Sequence, residues 1–301
     1  MEYLQQLCKM KQVLPLLTFL LTSVSLFGQT SYSGFIGTYT IELVTYIYSD
    51  GDARAIYAYS NYDEPMVING RLKQGVLTLN EKDSMGQVKA TLTFESFDQE
   101  SNRLEGVWKD LKDALQLPIR LTKNFDMDKG KDIEWTGREI IQPVSLGNHY
   151  FKLVVSKEKG SFSARVTGLK ILEKKTDKLI QKFDVSCQLW GLDNISIDDY
   201  NFDGVDDFSV FEQQYAGPNT TSLYFLYDPE TQHYFESGFS GVSLEFDPET
   251  KTIYEWNQSG AGVTTAEYKV IDNKMVVVKQ SCFKWDLERE ELVERPLEEC
   301  Q

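Results

Sequence analysis

From Gly34 to about Lys123 the chain alternates apolar and polar residues with a period of two, and clusters of Gly, Asp, Asn and Ser interrupt it at roughly 8–12-residue spacing. Tyr39–Tyr48 reads as a strand, Ser49–Asp52 as a turn and Ala55–Tyr59 as the returning strand, which is a hairpin pattern. Met66–Leu72, Gly75–Glu81, Val88–Phe97, Arg103–Lys109 and Leu117–Thr122 complete seven expected strands, with little helix. Gly106 marks a bend, and Pro118, which has no N–H to donate, points to an edge strand. Residues 32–123 are therefore expected to form a small β-barrel or sandwich.

Asn124–Gly137 is polar and reads as a linker. A second β-rich region, 138–301, follows. Its expected strands are Tyr150–Val155, Arg165–Glu173, Gln181–Trp190, Ile195–Ile197, Phe208–Gln214, Ser222–Tyr227, Val242–Phe246, Thr252–Trp256, Ala266–Ile271 and Lys274–Gln280. Within it, Asp228-Pro-Glu-Thr and Asp247-Pro-Glu-Thr each precede an aromatic strand, an echo at a 19-residue offset. Asp then Pro favours a type I turn, so either a short repeat or two separate hairpins would give this pattern. The fold class expected is all-β, with a small N-terminal β-barrel or sandwich and a larger C-terminal β domain, propeller-like or sandwich.

The sharpest local signal is Asp199-Tyr-Asn201-Phe-Asp203-Gly204-Val205-Asp206-Asp207. Oxygen-bearing side chains fall at positions 1, 3, 5 and 9, with glycine at 6. Calcium is a hard cation that takes six to eight oxygens, and this spacing can wrap a short loop around one. Asp199, Asn201, Asp203 and Asp207 would give side-chain oxygens and Val205 its carbonyl. Asp206 would act through water or face solvent. The place of a bidentate glutamate in an EF-hand holds Val210, and the flanks read as strands, so this is a strand-to-strand calcium loop. A metal-free Asn/Asp/Gly turn would use the same letters. Three carboxylates this close repel one another unless a cation compensates, which favours calcium.

The loop resembles the Asp-x-Asn-x-Asp-Gly-x-x-Asp loops of FG-GAP and related propeller repeats. With Ser222–Tyr227, the two Asp-Pro-Glu-Thr turns and Phe246, it also resembles periplasmic immunity proteins that act against lysozyme-like, peptidoglycan-degrading effectors. That resemblance spans roughly Leu146–Gln280, and its specific motif is the calcium loop. It implies calcium as cofactor and a cell-wall hydrolase as partner. It transfers no enzyme-contacting residue.

The N-terminus changes the picture of location. Lys9 and Lys11 precede the apolar run Val13–Phe27 and a small residue, Gly28, as in an export signal over 1–28. Met1 and Met10 are both candidate starts. Leu26-Phe-Gly-Gln29 resembles export signals of some Gram-negative bacterial groups, with cleavage before Gln29. The expected location is periplasmic or secreted, with no integral membrane segment once the signal is removed. Cys8 would leave with it. Of Cys187, Cys282 and Cys300, the pair Cys282–Cys300 is preferred because it would pin back the acidic tail, and Cys187–Cys282 is its rival.

The formal net charge of −15 repels phosphate backbones and argues against nucleic acid as a partner. Catalytic patterns are thin: the two histidines, His149 and His233, have no Gly-x-Ser-x-Gly elbow beside them. Tyr57, Tyr59, Tyr62, Trp108, Tyr254 and Trp256 are candidates for a sugar-stacking or protein-contact face. The expected function is that of an exported calcium-binding protein that recognises a partner rather than catalysing a reaction. Inhibition of a lysozyme-like peptidoglycan hydrolase is the most concrete form the resemblance implies. The alternatives are a carbohydrate-binding or carbohydrate-active envelope protein, which would need an aromatic-lined cleft, and a structural envelope component, which would show a large apolar patch.

Overall fold

The structure is a computed structural model that describes residues 28–60, 62–128 and 130–300. The segment read as an export signal lies outside the described residues up to residue 27, and with it Met10 and Cys8. No helix among the described residues is long and apolar enough to cross a membrane.

Eight antiparallel strands form a closed barrel: β1 (Gln29–Ile36), β2 (Tyr39–Ile47), β3 (Asp52–Tyr59), β4 (Met66–Lys73), β5 (Val76–Lys82), β6 (Val88–Phe94), β7 (Arg103–Asp110) and β8 (Gln116–Asp126). Each pairs with its successor, and β8 returns to β1 from Ile36↔Ile119 to Thr30↔Asp126. Tyr32, Leu43, Tyr57, Leu79, Phe94 and Leu121 fill the interior, so the barrel is packed and not a channel. Gly106 lies inside β7 rather than at a bend. A Cβ there would come within 2.5 Å of the Phe94 ring and of the Thr93 carbonyl, so close packing demands the glycine.

The eighth strand is the one the alternation did not show. β1 reads Gln-Thr-Ser-Tyr-Ser-Gly-Phe-Ile, yet its first four residues are buried. One end of the barrel is polar and supplies partners for Thr30: its Oγ1 donates to Asp126 Oδ1 at 2.8 Å and accepts Gln99 Nε2 at 3.0 Å. Closure also corrects the edge-strand expectation for Pro118, because β8 is paired on both sides. β1 ends opposite Ile119, so Pro118 sits where β8 overhangs its neighbour and its missing N–H is not needed there.

Three antiparallel sheets follow, each in simple meander order, the connectivity of propeller blades. The first holds β9 (Trp135–Leu146), β10 (His149–Lys157), β11 (Arg165–Glu173) and β12 (Leu179–Gln188). The second holds β13 (Ile195–Asp198), β14 (Asp207–Gln214), β15 (Thr220–Asp228) and β16 (His233–Glu236). The third holds β17 (Glu245–Asp247), β18 (Thr252–Ser259), β19 (Gly262–Ile271), β20 (Lys274–Asp286) and β21 (Glu291–Arg295), and ends in a 3-10 turn at Leu297–Cys300.

Both Asp-Pro-Glu-Thr segments are turns of one design. Asp228 and Asp247 each accept a backbone N–H two residues on at 2.9 Å and a threonine hydroxyl three residues on at 2.8 Å. They occupy different places, one joining the last two strands of its sheet and the other the first two. The echo is thus a repeated turn and not a repeated blade.

One hydrophobic core runs through the barrel wall and the next two sheets, from Val44 and Ile56 to Phe151, Leu153, Phe208 and Phe225. The stretch 124–137 takes part in it. Its first residues belong to β8 and its last to β9, Met127 is fully buried, and the Phe125 and Trp135 rings lie 5.0 Å apart with the Arg138 guanidinium 4.9 Å above Phe125. Ion pairs cross the same junction, Arg54 to Asp193 at 2.6 Å and Lys152 to Glu42 at 2.6 Å. A further core of Tyr200, Phe202, Tyr224, Leu226, Phe239 and Ile253 ties the second sheet to the third.

Cys282 and Cys300 form a disulfide and Cys187 is free and buried, as the preferred pairing required. Burial pushes the Cys187 thiol up to about 12, so it is inert. The acidic tail is itself structured, because β21 pairs with β20 from Cys282↔Arg295 to Asp286↔Glu291.

Candidate functional site

The acidic loop joins β13 to β14, which pair in register from Ile195↔Val210 to Asp198↔Asp207. Its residues divide by side. Tyr200 and Phe202 are buried in the core against the third sheet, and Asp199 and Asp203 face outward. Phe202 has φ 64°, an unusual backbone for a bulky residue, held by burial of its ring and by Lys251 Nζ on its carbonyl at 2.9 Å. Gly204 has φ 90°, which glycine adopts without a steric cost.

The loop oxygens gather backbone donors. Asp199 accepts the N–H groups of Asp203 at 3.0 Å and Gly204 at 2.8 Å. Asn201 Oδ1 accepts Asp203 N–H at 3.1 Å, and Asp203 Oδ1 accepts Val205 N–H at 2.8 Å. The Asn201 amide donates to Asp203 Oδ2 at 2.9 Å and to Asn273 Oδ1 at 3.0 Å. Asp207 is fully buried and accepts Tyr200 N–H at 3.0 Å on one oxygen and Tyr227 N–H at 2.8 Å on the other. Burial pushes its carboxyl up to about 7, and the charges of Asp203 and Asp199 push the same way against those two N–H groups.

The donor set is all hard oxygen, and each carboxylate oxygen keeps a second lone pair beside the hydrogen bond it accepts. By chemistry it suits calcium. The carboxylates are not drawn to a common centre, however: among the described residues no group of three or more His, Cys, Asp or Glu is placed to hold a metal ion. None of Asp199, Asp203 and Asp207 has an ion-pair partner there either, so their mutual repulsion is uncompensated.

The other candidates are dispersed. His149 opens β10, and His233 Nδ1 lies 2.6 Å from the Thr231 carbonyl in the turn before β16. Tyr57 and Trp108 do not form a surface. Their O–H and N–H donate to Glu81 Oε2 at 2.7 and 3.2 Å, in a network that Lys89 completes at 2.9 Å. Tyr59 packs edge-on to Tyr57, and Tyr62 is exposed.

Tyr254 and Trp256 do share an open face of the third sheet, and the register extends it. Trp256 lies opposite Thr265 and that residue opposite Ser281, while Tyr254 sits between Glu245 and Glu267. On the same face β20 adds Phe283 and Trp285, the latter opposite Leu292 of β21. Trp256, Trp285 and Leu292 are 44%, 48% and 38% exposed, so the aromatic row is open to solvent with acidic residues beside it. The period-two run Ser281, Phe283, Trp285 was the sequence signal for this extension.

No family model and no curated protein matches the chain. Solved structures align over most of its length at low similarity. A 6-phosphogluconolactonase-like protein from Bacteroides fragilis is 8% identical, covering 85% of this chain and 96% of its own, with a TM-score of 0.32. A Xanthomonas type IV secretion system related protein is 13% identical over 89% and 99%, with a TM-score of 0.27. TolB from Acinetobacter baumannii is 11% identical over 82% and 62%, with a TM-score of 0.24. Likenesses this weak assign no activity.

Proposed function

We propose that this chain is an exported, calcium-binding recognition protein of the periplasm or extracellular space. Its partner is a basic protein, in the most concrete form a lysozyme-like peptidoglycan hydrolase that it inhibits. The observation that carries the calcium reading is the trio Asp199, Asp203 and Asp207, one member fully buried and none matched by a cationic side chain. A cation at the loop would draw on Asp199, Asn201, Asp203, Asp207 and the Val205 carbonyl, and would offset the burial, and with it the lesser repulsion from Asp203 and Asp199, that raises Asp207. Asp207 also bonds the end of β15, so ordering the loop orders the sheet behind it.

The disulfide at Cys282 supports an oxidising compartment. The aromatic face around Trp256 and Trp285, with Glu245 and Glu267 alongside and a net charge of −15, supports a basic protein as partner.

The test is calcium titration by calorimetry on the chain from Gln29, with Asp203→Ala as control, followed by peptidoglycan hydrolysis by a purified lysozyme-like enzyme with and without the protein. Calcium binding that disappears in the variant, together with inhibition that weakens in chelator, is the expected result. Absence of binding at millimolar calcium would reduce the loop to a turn. Unchanged hydrolysis would remove this class of partner.

A further inference from the structure

A cleft of about 810 Å³ opens at the opposite end of the third sheet from its Tyr268 and Val270 core residues. Its floor is β18–β20, where Asn257 lies opposite Thr264 and Thr264 opposite Cys282. One wall is the Tyr215–Asn219 turn between β14 and β15. The other is the terminal 3-10 turn, fixed at Cys300 by its disulfide to the floor.

Asn219 fastens the first wall to the floor. Its amide donates to Asn257 Oδ1 at 3.1 Å and to the Gln258 carbonyl at 2.9 Å, and its oxygen accepts Gln258 N–H at 3.1 Å. The site is therefore formed before any ligand arrives. That fastening uses the oxygen of the Asn257 side chain and leaves its NH₂ group. The Ser259, Thr264 and Tyr215 hydroxyls also have no partner among the described residues. Lys284 and Glu299 pair at 3.5 Å and cancel each other's charge.

The lining thus combines amides and hydroxyls that both donate and accept, one half-exposed tyrosine ring, and no uncompensated charge. An anion would find no free cation, and a purely apolar ligand would leave these polar groups unpaired. Arrays of vicinal hydroxyls on a ring with an apolar face match it, and the volume lies within the range of small-molecule sites, roughly 300–1,000 Å³. We propose that this cleft binds a short neutral saccharide, with Asn257, Ser259 and Thr264 bonding its hydroxyls and Tyr215 stacking on a sugar ring. This goes beyond the calcium and hydrolase reading and shares no residue with it, so either can fail alone.

The experiment is calorimetric or NMR titration of the full disulfide-bonded chain with chitotriose, cellotriose and maltotriose, alongside Thr264→Val and Tyr215→Ala. Saturable binding of at least one of them is expected. Each variant is expected to weaken it by roughly tenfold, the size of one good hydrogen bond or ring contact, with its melting temperature retained. No binding of any of the three up to millimolar concentration overturns the proposal, as does affinity that both variants leave unchanged.

Discussion

Asp207 and Tyr227 are joined by a 2.8 Å bond from the Tyr227 N–H to the buried Asp207 carboxylate, while the other oxygen of that carboxylate holds the N–H of Tyr200. One side chain therefore fixes both the entry of the acidic loop and the far end of β15. Replacing it with alanine leaves one buried and one partly buried N–H group without acceptors. Asp207→Ala is expected to cost about 2–4 kcal/mol. Asp207→Asn, which keeps one accepting oxygen, should cost less. Denaturant unfolding of the two variants measures the difference.

The same carboxyl sets a pH dependence. Its pKa in the fold, about 7, lies above the ordinary 3.8, so ionising it works against the folded state. In chelator, the stability present below 3.8 should decline as pH rises through about 7. Calcium favours the ionised form and should remove that decline. Melting temperatures from pH 4 to pH 8, with chelator and with calcium, test this. Parallel curves in the two conditions would count against a cation at the loop.

Trp256 and Trp285 are half-exposed on the open face of the last sheet, so truncating them removes only part of the packing that a core tryptophan would lose. Each alanine variant should lower folding stability by about 1–2 kcal/mol. Binding to a basic hydrolase should fall by about 2 kcal/mol or more if these residues anchor the contact. Paired unfolding and binding measurements separate the two effects.

The Cys282–Cys300 bond closes a loop of 18 residues' separation around β21. Its removal in Cys282→Ser with Cys300→Ser is expected to cost about 3 kcal/mol by the chain-entropy argument. Because β21 is an edge strand held also by its ladder to β20, the first symptom should be proteolysis after Asp286. Limited digestion of oxidised and reduced protein reads this directly.

Glu81 holds the phenol of Tyr57 and the indole of Trp108 within the barrel. Glu81→Ala strands a fully buried hydroxyl and should cost about 1–3 kcal/mol. Glu81→Gln keeps an acceptor and should be milder. Near-ultraviolet circular dichroism would follow the two rings.

Much of this architecture was legible because period-two alternation is local. The strands from Tyr39 to Ile47 and from Val88 to Phe94 carry their burial pattern in their own residues, and both Asp-Pro-Glu-Thr turns are made by side chains within three positions. The oxygen spacing of the acidic loop was legible for the same reason, whereas the choice of Cys300 over Cys187 as the partner of Cys282 was only a preference until the fold brought the two together. Other features exist only through distant partners. β1 is polar in sequence, and it is buried because β2 and β8 close on it and because Asp126 and Gln99 satisfy Thr30. Phe125 and Trp135 sit in a segment that reads as a linker, and they are core because two sheets meet over them. The row from Trp256 to Trp285 and the cleft between Tyr215 and Cys300 likewise arise from strand register and from a disulfide, neither of which a window of sequence contains. Composition and spacing determined the strands with clear alternation, their turns and the oxygen set. The tertiary structure decided which polar residues could be buried and which aromatic residues stayed open, because burial depends on what packs across from a residue and not on its neighbours in the chain.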